Sequence, residues 1–283
     1  MDDTAANGRR RFWLCADDYG IAPGVNAAIR DLVARRRLNA TSVMVGAPSF
    51  TKAEAVALSA LNAGEQRVTI GLHLTLTGPL KPVTTDYTPL TDGAFLPLTT
   101  TLRLAMQQRL DVAAIAREFR AQFQAFAKAF GRPPDFVDGH QHVHLFPQVR
   151  QAALEVTAAE APGVWMRQCG ASRSLMRRLT DPKGLLIDWL SREFRARAVR
   201  QGIATNPAFA GTYTFKPSAD FAAIFPRFLE GLPEGGLVMC HPGHVDAELE
   251  RLDPLTTLRE REYEYFCGDA FAALLEKRGF RLN

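Results

Sequence analysis

No stretch of this 283-residue chain is apolar for long enough to cross a membrane. Its opening residues, Met1–Arg10, are polar and lack the apolar core of a secretory leader. Cysteine is equally sparse: Cys15, Cys169, Cys240 and Cys267 stand far apart, with no C-x-x-C spacing. That excludes a disulfide scaffold or a cysteine zinc cluster and fits reduced, buried thiols. Neither sign of charge dominates, the net charge being +4. Basic residues gather only at Arg9–Arg11, at Arg35–Arg37 and, loosely, between Arg173 and Arg200. Without a polybasic run or a nucleic-acid motif, the expected role of that excess is a solvated surface, and nucleic acid is not an expected partner. What remains is a cytoplasmic protein with a disordered tail over residues 1–10 and one domain over 11–283. At 47% hydrophobic, that domain can bury a large core.

Histidine is scarce too, and its placement is informative. All six histidines lie in three short segments, each at the end of an apolar run: His73 after Gly71-Leu72, the block Asp138-Gly139-His140-Gln141-His142-Val143-His144, and His241-Pro242-Gly243-His244. The acidic pair Asp17-Asp18 closes a fourth apolar run, Phe12-Trp13-Leu14-Cys15-Ala16. Imidazole is the commonest metal ligand and the usual acid/base near neutral pH, so four strand ends of this kind can converge on one metal-assisted site.

Short β-prone runs alternate with longer helical patterns, the signature of a parallel α/β protein. Strands are expected at Phe12–Ala16, Thr41–Val45, Val68–His73, Asp135–Gly139, Val164–Arg167, Gly202–Thr205 and Leu237–Cys240. Helices are expected near 24–36, 51–62, 111–130, 147–160, 183–201, 218–230 and 256–278. In the third of these, Ile115, Phe119, Phe123 and Phe126 recur at helical spacing and predict a core-facing stripe. Residues 77–104, rich in Pro, Thr and Gly, read as a long loop able to cover a site. Seven βα units around one core predict a single-domain (β/α) barrel, closed or nearly so, of about seven parallel strands. Ligands bind at the C-terminal strand ends of such folds. Asp17, Asp18, His73, His140 and His241 all follow β-prone runs, so all fall on that rim.

The motifs resemble those of the YdjC family, which includes chitooligosaccharide deacetylases and enzymes of hopanoid biosynthesis. Ala16-Asp17-Asp18-Tyr19-Gly20 with Gly24-Val25-Asn26, Gly71-Leu72-His73-Leu74, Asp138–Pro147 and Cys240-His241-Pro242-Gly243 follow in the family's order, from about residue 11 to 282. Tyr19 replaces the more usual Phe, and His244 stands where an aromatic or apolar residue is expected. The resemblance implies a (β/α) barrel of the polysaccharide-deacetylase superfamily that removes an N-acetyl group from an amino sugar with one divalent metal. By match to the motif positions, Asp18, His73 and His140 are the implied ligands and Mg the implied ion. Two imidazoles and a carboxylate, taken by ligand softness, instead suit Zn, Co, Ni or Mn.

Amide hydrolysis needs an attacking water, stabilisation of the oxyanion and a proton for the departing amine. Three protein ligands leave open positions for water and the acetyl oxygen. Adjacent side chains on an extended strand point opposite ways, so Asp17 and Asp18 take different roles. Asp18 is assigned to the metal and Asp17 to general base, a division the resemblance also implies. His241, on another side of the rim, is the candidate acid for the leaving amine. Arg167 is either an orienting partner of Asp17 or a surface ion pair. Gly139 and Pro147 predict that the fourth strand ends near His140, which makes Asp138 a partner that orients a ligand, His144 a substrate contact or ligand support, and His142 structural.

Two rival readings are a glycoside hydrolase, which would need two separated carboxylates, and a non-catalytic carbohydrate-binding module, which would not need the metal set. The expected partner is an N-acetylated sugar, either a free oligosaccharide or lipid-linked; a membrane surface and a second copy of the chain stay open. Around 183–201, Leu186, Leu190 and Phe194 recur every four residues beside Trp189 and among Arg177, Arg178, Arg192, Arg195 and Arg197. This is either a barrel helix packing its stripe or a basic lid for an apolar substrate tail.

Overall fold

A computed structural model describes residues 8–171 and 182–282. Its main sheet is built from parallel strands: β1 (Arg10–Tyr19), β2 (Ala40–Val43), β3 (Thr69–Leu74), β6 (Phe136–Gly139), β7 (Trp165–Met166), β8 (Phe209–Ala210), β9 (Gly236–Cys240) and β10 (Phe280–Leu282). The order is β7-β6-β3-β2-β1-β9-β8, with β10 paired to the start of β1. Two single bridges, Met166↔Thr205 and Ala171↔Phe209, bring the outer strands together, so the sheet curls into a nearly closed seven-stranded barrel. Helices fill the connections, as the right-handed βα rule requires. They are α1 (Pro23–Ala34), α2 (Lys52–Ala60), α3 (Leu98–Met106), α4 (Val112–Phe130), α5 (Val149–Glu160), α6 (Pro182–Arg200), α7 (Phe221–Phe228), α8 (Ala247–Leu252), α9 (Thr257–Cys267) and α10 (Asp269–Arg278).

Local chemistry sets the boundaries. Helix α4 starts where the Asp111 side chain accepts from the Ala113 and Ala114 N–H groups and stops at Gly131, whose φ of 70° is left-handed. Its Ile115, Phe119, Phe123 and Phe126 stripe is buried as the spacing predicts. Each such side chain contributes about 1.5–3 kcal/mol by leaving water. The single helix expected over 256–278 is two, because the backbone is extended at Gly268 between α9 and α10.

Two expectations are corrected. The strand expected at Gly202–Thr205 is only the Thr205 bridge, and the ladder resumes at β8. Pro207 has no N–H and biases Asn206 away from helix, so main-chain pairing cannot run through it. The Asn206 side chain stands in for the ladder: it accepts from Gln168 N–H at 2.8 Å and donates to the Gln168 and Ala208 carbonyls at 3.1 and 2.9 Å. The expected loop over 77–104 contains a hairpin, β4 (Leu90–Thr91) with β5 (Ala94–Phe95), and most of α3. Buried Glu118 of α4 pins its first part, accepting from the Val83 and Thr84 N–H groups and the Thr84 hydroxyl.

Of the tail expected over 1–10, residues 1–7 lie outside the described residues; Arg10 is already strand, and Arg9 pairs with Glu276 at 3.0 Å. Cys15, Cys169 and Cys240 are buried and all four cysteines are free. Among the described residues, no helix is long and apolar enough to cross a membrane.

Candidate active site

The C-terminal strand ends surround one cavity of about 370 Å³, lined by Asp17, Asp18, His73, His140 and His241 as well as by apolar side chains. Strand β1 delivers both aspartates through a bulge: its register on β2 shifts between Ala16 and Tyr19, and Asp18 adopts φ 70°. Aspartate tolerates this left-handed conformation better than most residues. The two carboxylates therefore diverge because of the bulge, not because an extended strand alternates, and both line the cavity. Gly20 follows with φ 105°, where a Cβ would come within 2.9 Å of Phe50, so the turn behind the pair accepts only glycine.

Each aspartate meets its own buried arginine. The Arg167 guanidinium, fully buried, donates to both Asp17 oxygens at 2.7 Å and forms an ion pair of 2.6 Å with Asp138 Oδ2. Burial opposes ionisation of Asp17, yet Arg167 outweighs it and holds the carboxyl well below the usual range. Arg167 is thus no surface ion pair. A second acidic group, Cys15 with Asp17 and Asp138, also brings ligand atoms close together, but the guanidinium is already the cation there. Asp18 is gripped by Arg259, which was not singled out from the sequence: Nη2 donates at 2.6 Å to Asp18 Oδ2 and at 2.6 Å to Asp253 Oδ2.

The other Asp18 oxygen faces two imidazoles. His140 Nδ1 lies 2.9 Å from Oδ1 and His73 Nε2 3.3 Å from it. The far nitrogen of His73, Nδ1, is held by Asp138 Oδ1 at 2.6 Å and Ser42 Oγ at 2.9 Å, which fixes the ring with Nε2 turned inward. Ligand atoms of Asp18, His73 and His140 all lie within 4.8 Å of one another, a donor set able to hold a divalent ion. Burial disfavours charge on His73, but Asp138 and Asp18 override it and raise the group to about 10. The same carboxylates that favour positive charge on the ring would favour a cation beside it.

The strand ends at Gly139, where a Cβ would meet His144 Nδ1 at 2.7 Å, and a 3₁₀ segment over His140–Leu145 follows with Gln141 and His142 in left-handed conformations. That turn puts His142, expected to be structural, on the cavity wall and leaves His144 the supporting one of its two expected roles. His142 lines the cavity, with Nδ1 3.5 Å from Cys169 Sγ, and burial pushes it well below the usual histidine range. His144 does not line the cavity. It is fully buried, its Nε2 donates to the Arg167 carbonyl at 2.8 Å, and burial lowers it to about 4, so it acts as a neutral support.

His241 reaches the cavity from the end of β9, its ring edge-on to Phe215 at 5.6 Å. Burial depresses its basicity, and Nδ1 has no hydrogen-bond partner among the described residues. Its backbone N–H donates to Glu262 Oε2 at 2.6 Å, while Tyr213 donates to Oε1 at 2.7 Å. Burial raises Glu262 to about 7. His244 lies outside the cavity, edge-on to Tyr263 at 4.4 Å. Tyr19 is buried, its hydroxyl bonded to Glu54 and Arg30. The rest of the cavity wall is mostly apolar, with Leu98 and Leu102 of α3, Leu145 and Phe146, and Leu186, Ile187 and Leu190 of α6; Gln141, Thr212 and Asp253 are its polar members. On α6, Leu190 and Phe194 are buried, Trp189 is exposed, and Arg173, Arg177 and Arg178 lie outside the described residues.

Known proteins resemble the chain over its whole length. It is 28% identical over 277 residues to proteins named chitooligosaccharide deacetylase from Yersinia pestis (strain Pestoides F) and Yersinia pseudotuberculosis serotype O:1b, covering 95% of each chain. A candidate cellobiose-phosphate cleavage protein of Enterococcus faecalis V583 shares the fold at a TM-score of 0.73 and 22% identity, covering 97% of both chains. A lactam utilization protein of Thermus thermophilus aligns at a TM-score of 0.53 and 16% identity, over 96% of this chain and 99% of that one. The family model described as YdjC-like protein matches residues 11–277, and the chain belongs to that family.

Proposed function

We propose that this protein is a metal-dependent carbohydrate N-deacetylase. The observation that carries the reading is the union, in one cavity, of the Asp18–His73–His140 donor set with a carboxylate held ionised by Arg167 and an independent imidazole, His241. The relatives named chitooligosaccharide deacetylase support it. When bound, a divalent ion supplies Lewis acidity towards the acetyl oxygen and lowers the pKa of a water. Asp17 takes the proton of the attacking water, oriented by its paired bonds to Arg167. His241 gives a proton to the departing amine. Its low basicity makes it a strong acid for that purpose and puts the alkaline limb of activity at or below the ordinary histidine range. The glycoside-hydrolase reading finds little support, because Asp17, Asp18 and Asp253 are each engaged by a buried arginine.

The apolar wall favours a substrate whose amino sugar carries an apolar aglycone, such as an N-acetylglucosaminyl lipid, over a free chitooligosaccharide, whose hydroxyls would gain little there. The test is acetate release by protein loaded in turn with Mg, Zn, Co, Ni and Mn, on a panel of chitooligosaccharides and N-acetylglucosaminyl lipids, with His241→Ala beside the wild type. We expect release from the lipid-linked members first. The variant should keep its metal, lose kcat much more than KM and lack the alkaline limb. No release from any N-acetyl sugar with any metal overturns the reading.

A further inference from the structure

The two arginines at the site are not equivalent. Arg167 uses two nitrogens to take up both oxygens of Asp17. Arg259 uses one nitrogen, Nη2, to touch a single oxygen each of Asp18 and Asp253. It is held rigidly in that position. The side chain is fully buried, Nε donates to the Leu255 carbonyl at 3.0 Å, and its own carbonyl accepts from Gly243 N–H at 3.1 Å. Asp18 therefore presents Oδ1 alone to His73 and His140, while Oδ2 is occupied.

We propose that Arg259 is a positioning residue that confines Asp18 to one ligating oxygen, and that Asp253 sets how firmly it does so. The inference rests on the reading of Asp18, His73 and His140 as a divalent-metal set. A carboxylate free of the guanidinium can chelate a cation through both oxygens, which binds the ion more tightly but fills a position that water or the acetyl oxygen needs. A guanidinium beside the ion also repels it. Both effects give Arg259 a cost in affinity and a gain in open coordination. Asp253 shares the guanidinium, so it lessens the pull on Asp18. Asp253, Pro254 and Leu255 also line the cavity, so the wall and the ligand meet through this one side chain.

The experiment titrates metal-free protein with Co²⁺, reading affinity by competition and coordination number from the visible absorption. Arg259→Met should bind Co²⁺ about tenfold more tightly, with weaker absorption from a higher coordination number, while deacetylation falls. Asp253→Asn should move the other way, binding about tenfold more weakly with a wild-type spectrum. Opposite signs are the signature, since a merely structural role weakens both. Unchanged or weaker Co²⁺ binding by folded Arg259→Met, or wild-type binding by Asp253→Asn, overturns the inference. Should Arg259→Met fail to fold, Arg259→Gln takes its place, with tighter Co²⁺ binding again the expected sign and unchanged or weaker binding again overturning the inference. Wild-type protein that binds no Co²⁺ instead overturns the metal reading itself.

Discussion

The two sides of the barrel are built differently. On one, β1, β2, β3 and β6 pair through ladders of three or four residue pairs each, that of β1 with β2 interrupted by the bulge at the aspartates, and carry Asp17, Asp18, His73 and, just past its end, His140. On the other, β7 and β8 are two residues each and meet only through single bridges. Side chains do the joining there: Asn206 to Gln168, and His144 to the Arg167 carbonyl. The donor set sits on the laddered side, while Arg167, which holds the proposed base, and the Leu186, Ile187 and Leu190 part of the wall sit where pairing is thinnest. A metal site needs fixed distances, whereas a substrate wall can vary with little harm to the ladder.

The comparison is sharpest at Asp17, where the two sides are tied through Arg167. Asp17→Asn should reduce turnover by about 100-fold to 10,000-fold while retaining the metal, because the amide keeps the shape but cannot take a proton. If elemental analysis finds the metal lost from Asp17→Asn but kept by Asp18→Asn, the two roles are exchanged. A smaller effect is expected on the thin side. Asn206→Ala would strip partners from a buried N–H and two carbonyls and should cost roughly 3 kcal/mol in denaturant unfolding. A loss below about 0.5 kcal/mol would mean that the bridges need no such support.

The smallest effect concerns Glu262, which braces His241 from α9. Its carboxyl, at about 7, lies above its ordinary 4.5, so the folded state holds an extra proton between those values. The resulting stability is fully present below about pH 4.5 and is lost as pH rises through about 7. Glu262→Gln imitates the protonated form, so the melting temperature of wild type relative to this variant should fall between pH 4.5 and 7. A constant difference would show that Glu262 does not titrate there.

Much of this was legible in the sequence, for physical reasons. Apolar runs ending in Asp or His mark strand ends, and a parallel barrel collects strand ends on one rim, so Asp18, His73, His140 and His241 could be grouped without coordinates. Arg259 and Glu262 could not. They lie at i and i+3 in Thr257–Cys267, among charged residues that composition assigns to solvent, yet with Phe266 at i+7 they form a buried face. The available signal was that spacing shared with Phe266, and hydrophobic periodicity does not count arginine. The turns at Gln141 and His142 were hidden in another way. Left-handed backbone at two non-glycine residues sets which way His142 and His144 face, and a loop reading past His140 carries no information on facing.

The pairing of β1 has a consequence for how the chain acquires its shape during synthesis. This strand bears the aspartate pair, yet β9 and β10, which flank it, come more than 200 residues later. With only β2 close behind, β1 stays half paired until residues 236–282 have emerged. Separations of that size make folding slow and leave an apolar edge open in the interval. Arg259, the counterion of Asp18, lies in that late stretch, whereas Arg167, the counterion of Asp17, precedes it, so the two buried aspartates do not gain their partners together.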